Sequence, residues 1–200
     1  MRALFITWAW GSHYYPLVPF GWALRAAGHE VLVASHPSFA PIITGSGLPA
    51  LPVGDDIDVK ARIAAEFGTW RPAHRRSADE VERLAMRWGA LATESAVAMA
   101  VDSYHFAEQW QPDIVVYEPM AYLAPGLAGD LGVPAIRLLW ATDFLASLLQ
   151  RYQDTPLFRR LGVDGMRSLG DVTLDPCPPS LQVDQKDVVR RPMRYVPYNG

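Results

Sequence analysis

A few short, almost uninterrupted apolar runs limit what this chain can fold into. "RALFITWA" (residues 2–9), "VLVAS" (31–35), "PDIVVYE" (112–118) and "PAIRLLW" (134–140) lack the alternation of a strand with one wet face. Such runs, rich in branched residues, suit strands buried on both faces, as in a parallel sheet covered by helices. Parallel neighbours need a crossover long enough to bring the chain back, and the intervening stretches supply it. "PLVPFGWALRAAG" predicts a helix, with Pro16 and Pro19 in its first turn and Gly28 just past its end. "HPSFAPIITGSG" predicts a short second helix closing at residues 45–47, and "LPALPV" a third strand. Strand, helix, strand, helix, strand implies an α/β fold: a Rossmann-like open parallel sheet flanked by helices, with right-handed crossovers.

Residues 55–76 interrupt this rhythm. Acids, "TWRP" and "RR" follow one another there without a clear period, which predicts a surface excursion. "SADE" (77–80) is a capping box, in which the serine accepts from free backbone N–H groups and the glutamate reaches back. Val81, Leu84, Trp88 and Leu91 follow at helical spacing. The helical pattern runs to about Trp110, with Gly89 the point where it would bend or break. "PMAYLAPGLAGDLG" predicts another helix. Further helical pieces are predicted around 144–151 and 156–161, and strands in "DVTLD" (171–175) and "MRYVPYNG" (193–200). No repeat, low-complexity tract or shift in composition divides the chain, so its 200 residues read as a single domain.

Composition then removes whole classes of function. Half the residues are hydrophobic and 20% are charged, which supports a core and is too few charges for a disordered chain. A net charge of −3 offers no electrostatic case for nucleic acid. The single cysteine, Cys177, excludes an internal disulfide framework and a multi-cysteine metal site, and reads as a reduced thiol in a cytoplasmic protein. "MRALFITWAWG" is too short, and too poor in following small residues, for a signal peptide. No stretch reaches the roughly 18 apolar residues of a membrane helix. "GSHYYP" is not G-x-G-x-x-G, no phosphate-binding loop is present, and "TGSG" ends a helix, where the dipole has the wrong sign for phosphate. A dinucleotide-dependent oxidoreductase therefore lacks its fingerprint. No pair of histidines has metal-ligand spacing.

In open α/β sheets, ligands gather at the carboxyl ends of the strands. His13 follows the first predicted strand, Glu118 the fourth and Asp143 the fifth. A histidine titrates near neutrality and can take a proton from a hydroxyl. A carboxylate on its far nitrogen would fix the tautomer and stabilise the cation that forms. Trp8, Trp10, Tyr14, Tyr15 and Trp140 crowd the same loops and offer an apolar wall to a flat hydrophobic ligand. Each group also has a plainer reading. His13 can be surface decoration, Glu118 and Asp143 can cap the helices that follow them, and the aromatics can be core. Spacing alone leaves both sets of readings open. His29 lies in a helix-to-strand turn and His36 at a helix start, while His74 and His105 lack an acidic partner at a suggestive position.

"MRALFITWAWGSHYYPLVPFGWALRAAGHEVLVAS" resembles the amino-terminal segment of bacterial natural-product glycosyltransferases of the GT-B fold, which attach deoxysugars to macrolides and aromatic polyketides. "PDIVVYEPMAYLAPGLAGDLGVPAIRLLW", "TLDPCPPSLQ" and "MRYVPYNG" carry the same resemblance in the same order. It covers essentially the whole chain, with residues 55–76 the least typical. The resemblance implies an inverting transfer in which a histidine, matched by His13, removes the proton from an acceptor hydroxyl. The oxygen then displaces a nucleoside diphosphate from the anomeric carbon. Many relatives pair that histidine with an aspartate after the fourth strand, where this sequence has the longer Glu118. Some polyketide-modifying relatives use an acid after the fifth strand, matched by Asp143.

The same family has two Rossmann-like domains, the first binding mainly the acceptor and the second mainly the nucleotide-sugar. Residues 1–200 match the first, with 193–200 as its final strand and the start of the interdomain linker. The donor-binding C-terminal domain, with its diphosphate-binding helix, is not among them. The resemblance thus implies an acceptor-binding, base-supplying half of a glycosyltransferase, inactive by itself. Its partners would be a hydrophobic polyketide-like aglycone and the C-terminal donor domain, its co-substrate a TDP- or UDP-deoxysugar, with no metal and no cofactor. A homodimer and a separate activator protein, which some aminosugar-transferring relatives require, are left open. The alternative is a stand-alone, non-catalytic small-molecule-binding domain derived from such an enzyme.

Overall fold

The computed structural model describes residues 1–67, 77–144, 146, 169–183 and 188–200. In them the strands β1 (Arg2–Ile6), β2 (Glu30–Ser35), β3 (Ala50–Pro52), β4 (Ile114–Tyr117), β5 (Ala135–Leu138), β6 (Val172–Asp175) and β7 (Arg190–Pro192) form one sheet. Its order is β3-β2-β1-β4-β5-β6-β7, and every neighbouring pair is parallel. The chain winds outward from β1 to β3, returns to β4 on the other side of β1, and winds outward again. The loops leaving β1 and β4 therefore part company, and the crevice between them is the ligand position of a doubly wound sheet.

The uninterrupted apolar character of the strands now has its cause. Side chains along a strand alternate between faces, and here both faces are covered. Leu4, Ile6, Leu32, Ala34, Val115 and Tyr117 join one core with α4 (Val59–Phe67), α5 (Ala78–Trp110) and α6 (Leu123–Leu131). Ala3, Phe5, Val31, Val33 and Val116 join a second core with α1 (Gly11–Tyr14), α2 (Leu17–Ala26) and α3 (Ala40–Gly45). Each fully buried Leu, Ile or Phe contributes about 1.5–3 kcal/mol of transfer free energy to this arrangement.

Local signals set several boundaries where they were expected. Gly28 and Gly47 take positive φ just past the ends of α2 and α3. The Ser77 hydroxyl accepts from the Glu80 N–H, and the Glu80 carboxylate accepts from the Ser77 N–H, closing the capping box of α5. That helix crosses Gly89 without a break for 33 residues. Leu91, Ala92, Ala96 and Met99 bury one side of it against the sheet. This outweighs the roughly 1 kcal/mol that a mid-helix glycine costs. Gly54, at φ +67°, lets the loop after β3 lie against α5, because a Cβ there would overlap the Ala98 carbonyl oxygen.

Three expectations need correction. Part of the supposed excursion at 55–76 is the helix α4: Val59 and Ile63, one turn apart, pack against α5, and Arg62 pairs with Glu94 at 2.8 Å. Residues 68–76 lie outside the described residues. The final strand is β7 at Arg190–Pro192 rather than 193–200, in register with β6 through Thr173↔Arg190 and Asp175↔Pro192. Its arginines disguise it, since edge strands are commonly charged. The tail that follows instead places Tyr198 edge-on against Tyr15 and Trp22, at 5.5 and 5.2 Å between ring centroids. Third, α6 begins at Leu123 rather than at Pro119. The helical pieces expected near 144–151 and 156–161 lie outside the described residues, apart from Phe144 and Ala146, which are helical. Among the described residues no helix is long and apolar enough to cross a membrane.

Candidate active site at the carboxyl edge of the sheet

β1 leaves the sheet at Ile6, and the chain turns through Trp8 and Trp10 into α1, a single helical turn. The Trp10 carbonyl accepts from the N–H groups of His13 and Tyr14, which holds that turn closed. It carries His13 to the end of β4. There the first residue past the strand is Glu118, fully buried, and its Oε2 lies 3.0 Å from His13 Nδ1. Trp140, just past β5, stacks on the imidazole with 4.1 Å between centroids and 27° between planes. Its indole N–H also donates to Glu118 Oε2 at 3.2 Å, and the Met120 backbone N–H donates to the same oxygen at 2.9 Å. The Met120 bond ties the carboxylate to its own turn, so the side chain is fixed before it meets the ring. Glu118 therefore faces His13 without being the helix cap it could have been, because α6 begins five residues on, at Leu123, with no side-chain cap. Glu118 Oε1 is buried and has no hydrogen-bond partner among the described residues.

Asp143 is engaged elsewhere. Arg137, fully buried on β5, grips its carboxylate with both terminal nitrogens at 3.1 and 2.6 Å, and donates from Nε to Thr173 Oγ1 at 3.1 Å. Arg190, from β7, approaches the same carboxylate at 3.4 Å. Gln182 accepts from the Asp143 N–H at 2.7 Å and donates to Asp175 at 2.9 Å. The alternative partner for His13 is therefore corrected to an anchor between the loops after β5 and β6. A guanidinium buried this deeply requires an anion, and Asp143 supplies it.

The aromatic wall also divides. Tyr14 is fully buried in the second core, its hydroxyl 2.6 Å from Ser46 Oγ and its ring edge-on to Phe39. Burial pushes its pKa up to about 12. It has no surface to offer a ligand. Trp8 is likewise buried, against Trp88, with its indole N–H donated to His13 Nδ1 at 2.9 Å. Trp10 is half-buried on the first core, and Tyr15 is half-buried under Tyr198. Trp140 keeps an open edge beside His13 and meets Phe144, itself 46% exposed, at 6.1 Å. Phe144 was missed in the sequence, where its neighbour Asp143 drew the attention. Arg137 was missed too, because nothing in "AIRLLW" marks its arginine as buried.

A second buried histidine sits at the end of β2. His36 donates from Nδ1 to the Asp55 carbonyl at 2.8 Å, and its Nε2 pairs with the Ser95 hydroxyl at 2.7 Å. Burial lowers its pKa below the usual 6.5, outweighing the Asp55 bond and the attraction of Asp56. The folded protein holds this ring neutral, whereas the unfolded chain takes up a proton near its ordinary value. The contribution to stability is thus complete above that value and is lost as pH falls toward the lowered one. Melts between about pH 5 and 7.5 should show stability declining on the acid side, and His36→Gln should flatten that slope. An unchanged slope in the variant would refute this.

A seven-stranded, doubly wound parallel sheet flanked by helices is the architecture of the N-terminal half of a GT-B glycosyltransferase. Within that class, the family described as "Erythromycin biosynthesis protein CIII-like, N-terminal domain" matches residues 22–200, and the chain belongs to it. The 10-deoxymethynolide desosaminyltransferase of Streptomyces venezuelae is 37% identical, over 100% of this chain and 54% of that protein. The L-demethylnoviosyl transferase of Streptomyces niveus is 36% identical, over 100% of this chain and 50% of its own length. The solved structure of the glycosyltransferase VinC in complex with dTDP superimposes with a TM-score of 0.80 at 29% identity, over 100% of this chain and 54% of VinC. The chain spans about half the length of the curated relatives it matches.

Proposed function

We propose that this chain is the acceptor-binding, base-supplying half of an inverting, cytoplasmic glycosyltransferase. Its reaction moves a deoxysugar from a nucleoside-diphosphate sugar to a hydroxyl of a polyketide-like aglycone. The observation that carries the proposal is the 3.0 Å contact between His13 and Glu118, buried at the switch point and covered by Trp140. With its proton on Nδ1, His13 presents the Nε2 lone pair to the acceptor. Nε2 takes the hydroxyl proton as the oxygen forms a bond to the anomeric carbon, and the bond to the nucleoside diphosphate breaks. The imidazolium then faces the Glu118 carboxylate on one side and the Trp140 ring on another, both of which favour a cation. Trp140 and Phe144 form the open aromatic edge for the aglycone. The relatives' names, which specify desosaminyl and demethylnoviosyl transfer, support a deoxysugar donor, and the dTDP bound to VinC supports a thymidine diphosphate leaving group.

Calorimetry on this chain should detect binding of an apolar aglycone and no tight binding of a nucleotide-sugar. Mixed together, the three should give no glycoside. Holding both reactants in attack geometry supplies about 7–11 kcal/mol of a barrier, and that contribution needs the donor-binding half. Tight nucleotide-sugar binding or turnover by these residues alone would overturn the proposal.

A further inference from the structure

Two partners converge on one nitrogen of His13. The Trp8 indole N–H points at Nδ1 from 2.9 Å, and Glu118 Oε2 lies 3.0 Å from the same atom. An indole N–H only donates, and an ionised carboxylate only accepts. Nδ1 therefore satisfies one of them at a time. With its lone pair turned to Trp8, the neutral ring carries its hydrogen on Nε2, and that tautomer has no lone pair for an acceptor hydroxyl. With its hydrogen turned to Glu118, Nε2 is free to act as a base and the indole loses its acceptor.

The balance between these states depends on what each leaves unpaired. Trp8 is 1% exposed, so its N–H without His13 becomes a buried donor without an acceptor, which is unfavourable. Glu118 Oε2 is less dependent on the ring, because Trp140 and Met120 donate to it in either state. The usual arrangement, in which an acid alone dictates the tautomer, is thus opposed here by a fixed donor on the same nitrogen.

We propose that Trp8 is a positioning residue that holds part of the resting His13 in the Nε2–H tautomer, so that the base-competent form is drawn out as an acceptor hydroxyl donates to Nε2. The change moves one proton from Nε2 to Nδ1 by way of solvent, with no net gain or loss. This inference rests on the reading of His13 as the base, but its primary readout does not.

Nitrogen-15 NMR of the labelled protein reports which ring nitrogen of neutral His13 bears hydrogen. The expected spectrum shows a measurable Nε2–H population and a coupling across the hydrogen bond between Trp8 Nε1 and His13 Nδ1. Trp8→Phe keeps a ring against Trp88 and removes the donor, and should raise the Nδ1–H fraction. In the complete enzyme kcat/KM should rise by no more than the same factor, because activity scales with the competent population. Equal tautomer fractions in wild type and variant would overturn the proposal. If the variant fails to fold, a wild-type ring wholly in the Nδ1–H form without the internitrogen coupling would do the same. Normal transfer by His13→Ala would instead reject His13 as the base and leave the tautomer spectrum as measured.

Discussion

His13→Ala in the full-length enzyme is expected to lower the transfer rate by about 10²–10⁴-fold, the usual contribution of a general base. The loss should fall on kcat, because the Trp140 and Phe144 edge proposed for the acceptor is still present. His13 sits on a single helical turn held by backbone bonds to the Trp10 carbonyl, so its side chain is not what closes that turn. The variant should therefore keep a cooperative melt. Glu118→Gln is expected to lie between wild type and His13→Ala. The amide can still accept from Trp140 and Met120, but the charge facing the imidazolium is gone. Single-turnover kinetics with a saturating acceptor check both variants. Near-normal rates in His13→Ala would remove the base assignment.

Arg137→Ala is expected to cost about 3–5 kcal/mol of stability, because breaking a buried pair leaves an uncompensated charge behind. Asp143 would lose its bidentate partner and keep the longer contact from Arg190, at 3.4 Å, and Thr173 would lose the Nε donor. The pair also spans β5, β6 and the loop that holds Asp143, so the damage should spread to the edge of the sheet. Urea unfolding measures it directly, and a loss below about 1 kcal/mol would contradict the geometry. Replacing both partners with apolar residues of similar volume should recover much of the loss, since such pairs often break even against hydrophobic packing. Asp143→Asn belongs to the same test. It should weaken the fold, whereas a partner of His13 would slow transfer at unchanged stability.

The sheet itself was written locally. An apolar run without alternation means burial on both faces, and in β1 alternate residues do enter the two separate cores. The capping box at Ser77 and Glu80 and the glycines past α2 and α3 were legible for a similar reason, because each acts within a few residues of itself. The helix α4 was missed although Val59, Ile63 and Phe67 stand at helical spacing, because acids and loop residues crowd around so short a segment and its packing has meaning only against α5. β7 was hidden by arginines that suit an edge, and whether a segment is an edge is decided by its neighbours.

The site divides along the same line. Chain order brought His13, Glu118 and Asp143 to one rim of the sheet, because each follows a parallel strand. It did not decide which acid meets the histidine. His13 and Glu118 are 105 positions apart, and no local pattern encodes a contact of that separation. The outcome turned on Arg137, whose side chain is fully buried and takes the Asp143 carboxylate as its counter-ion. Residue order determined the sheet and the rim on which these groups stand. Only tertiary packing, by burying an arginine that needed an anion, left Glu118 as the acid that faces His13.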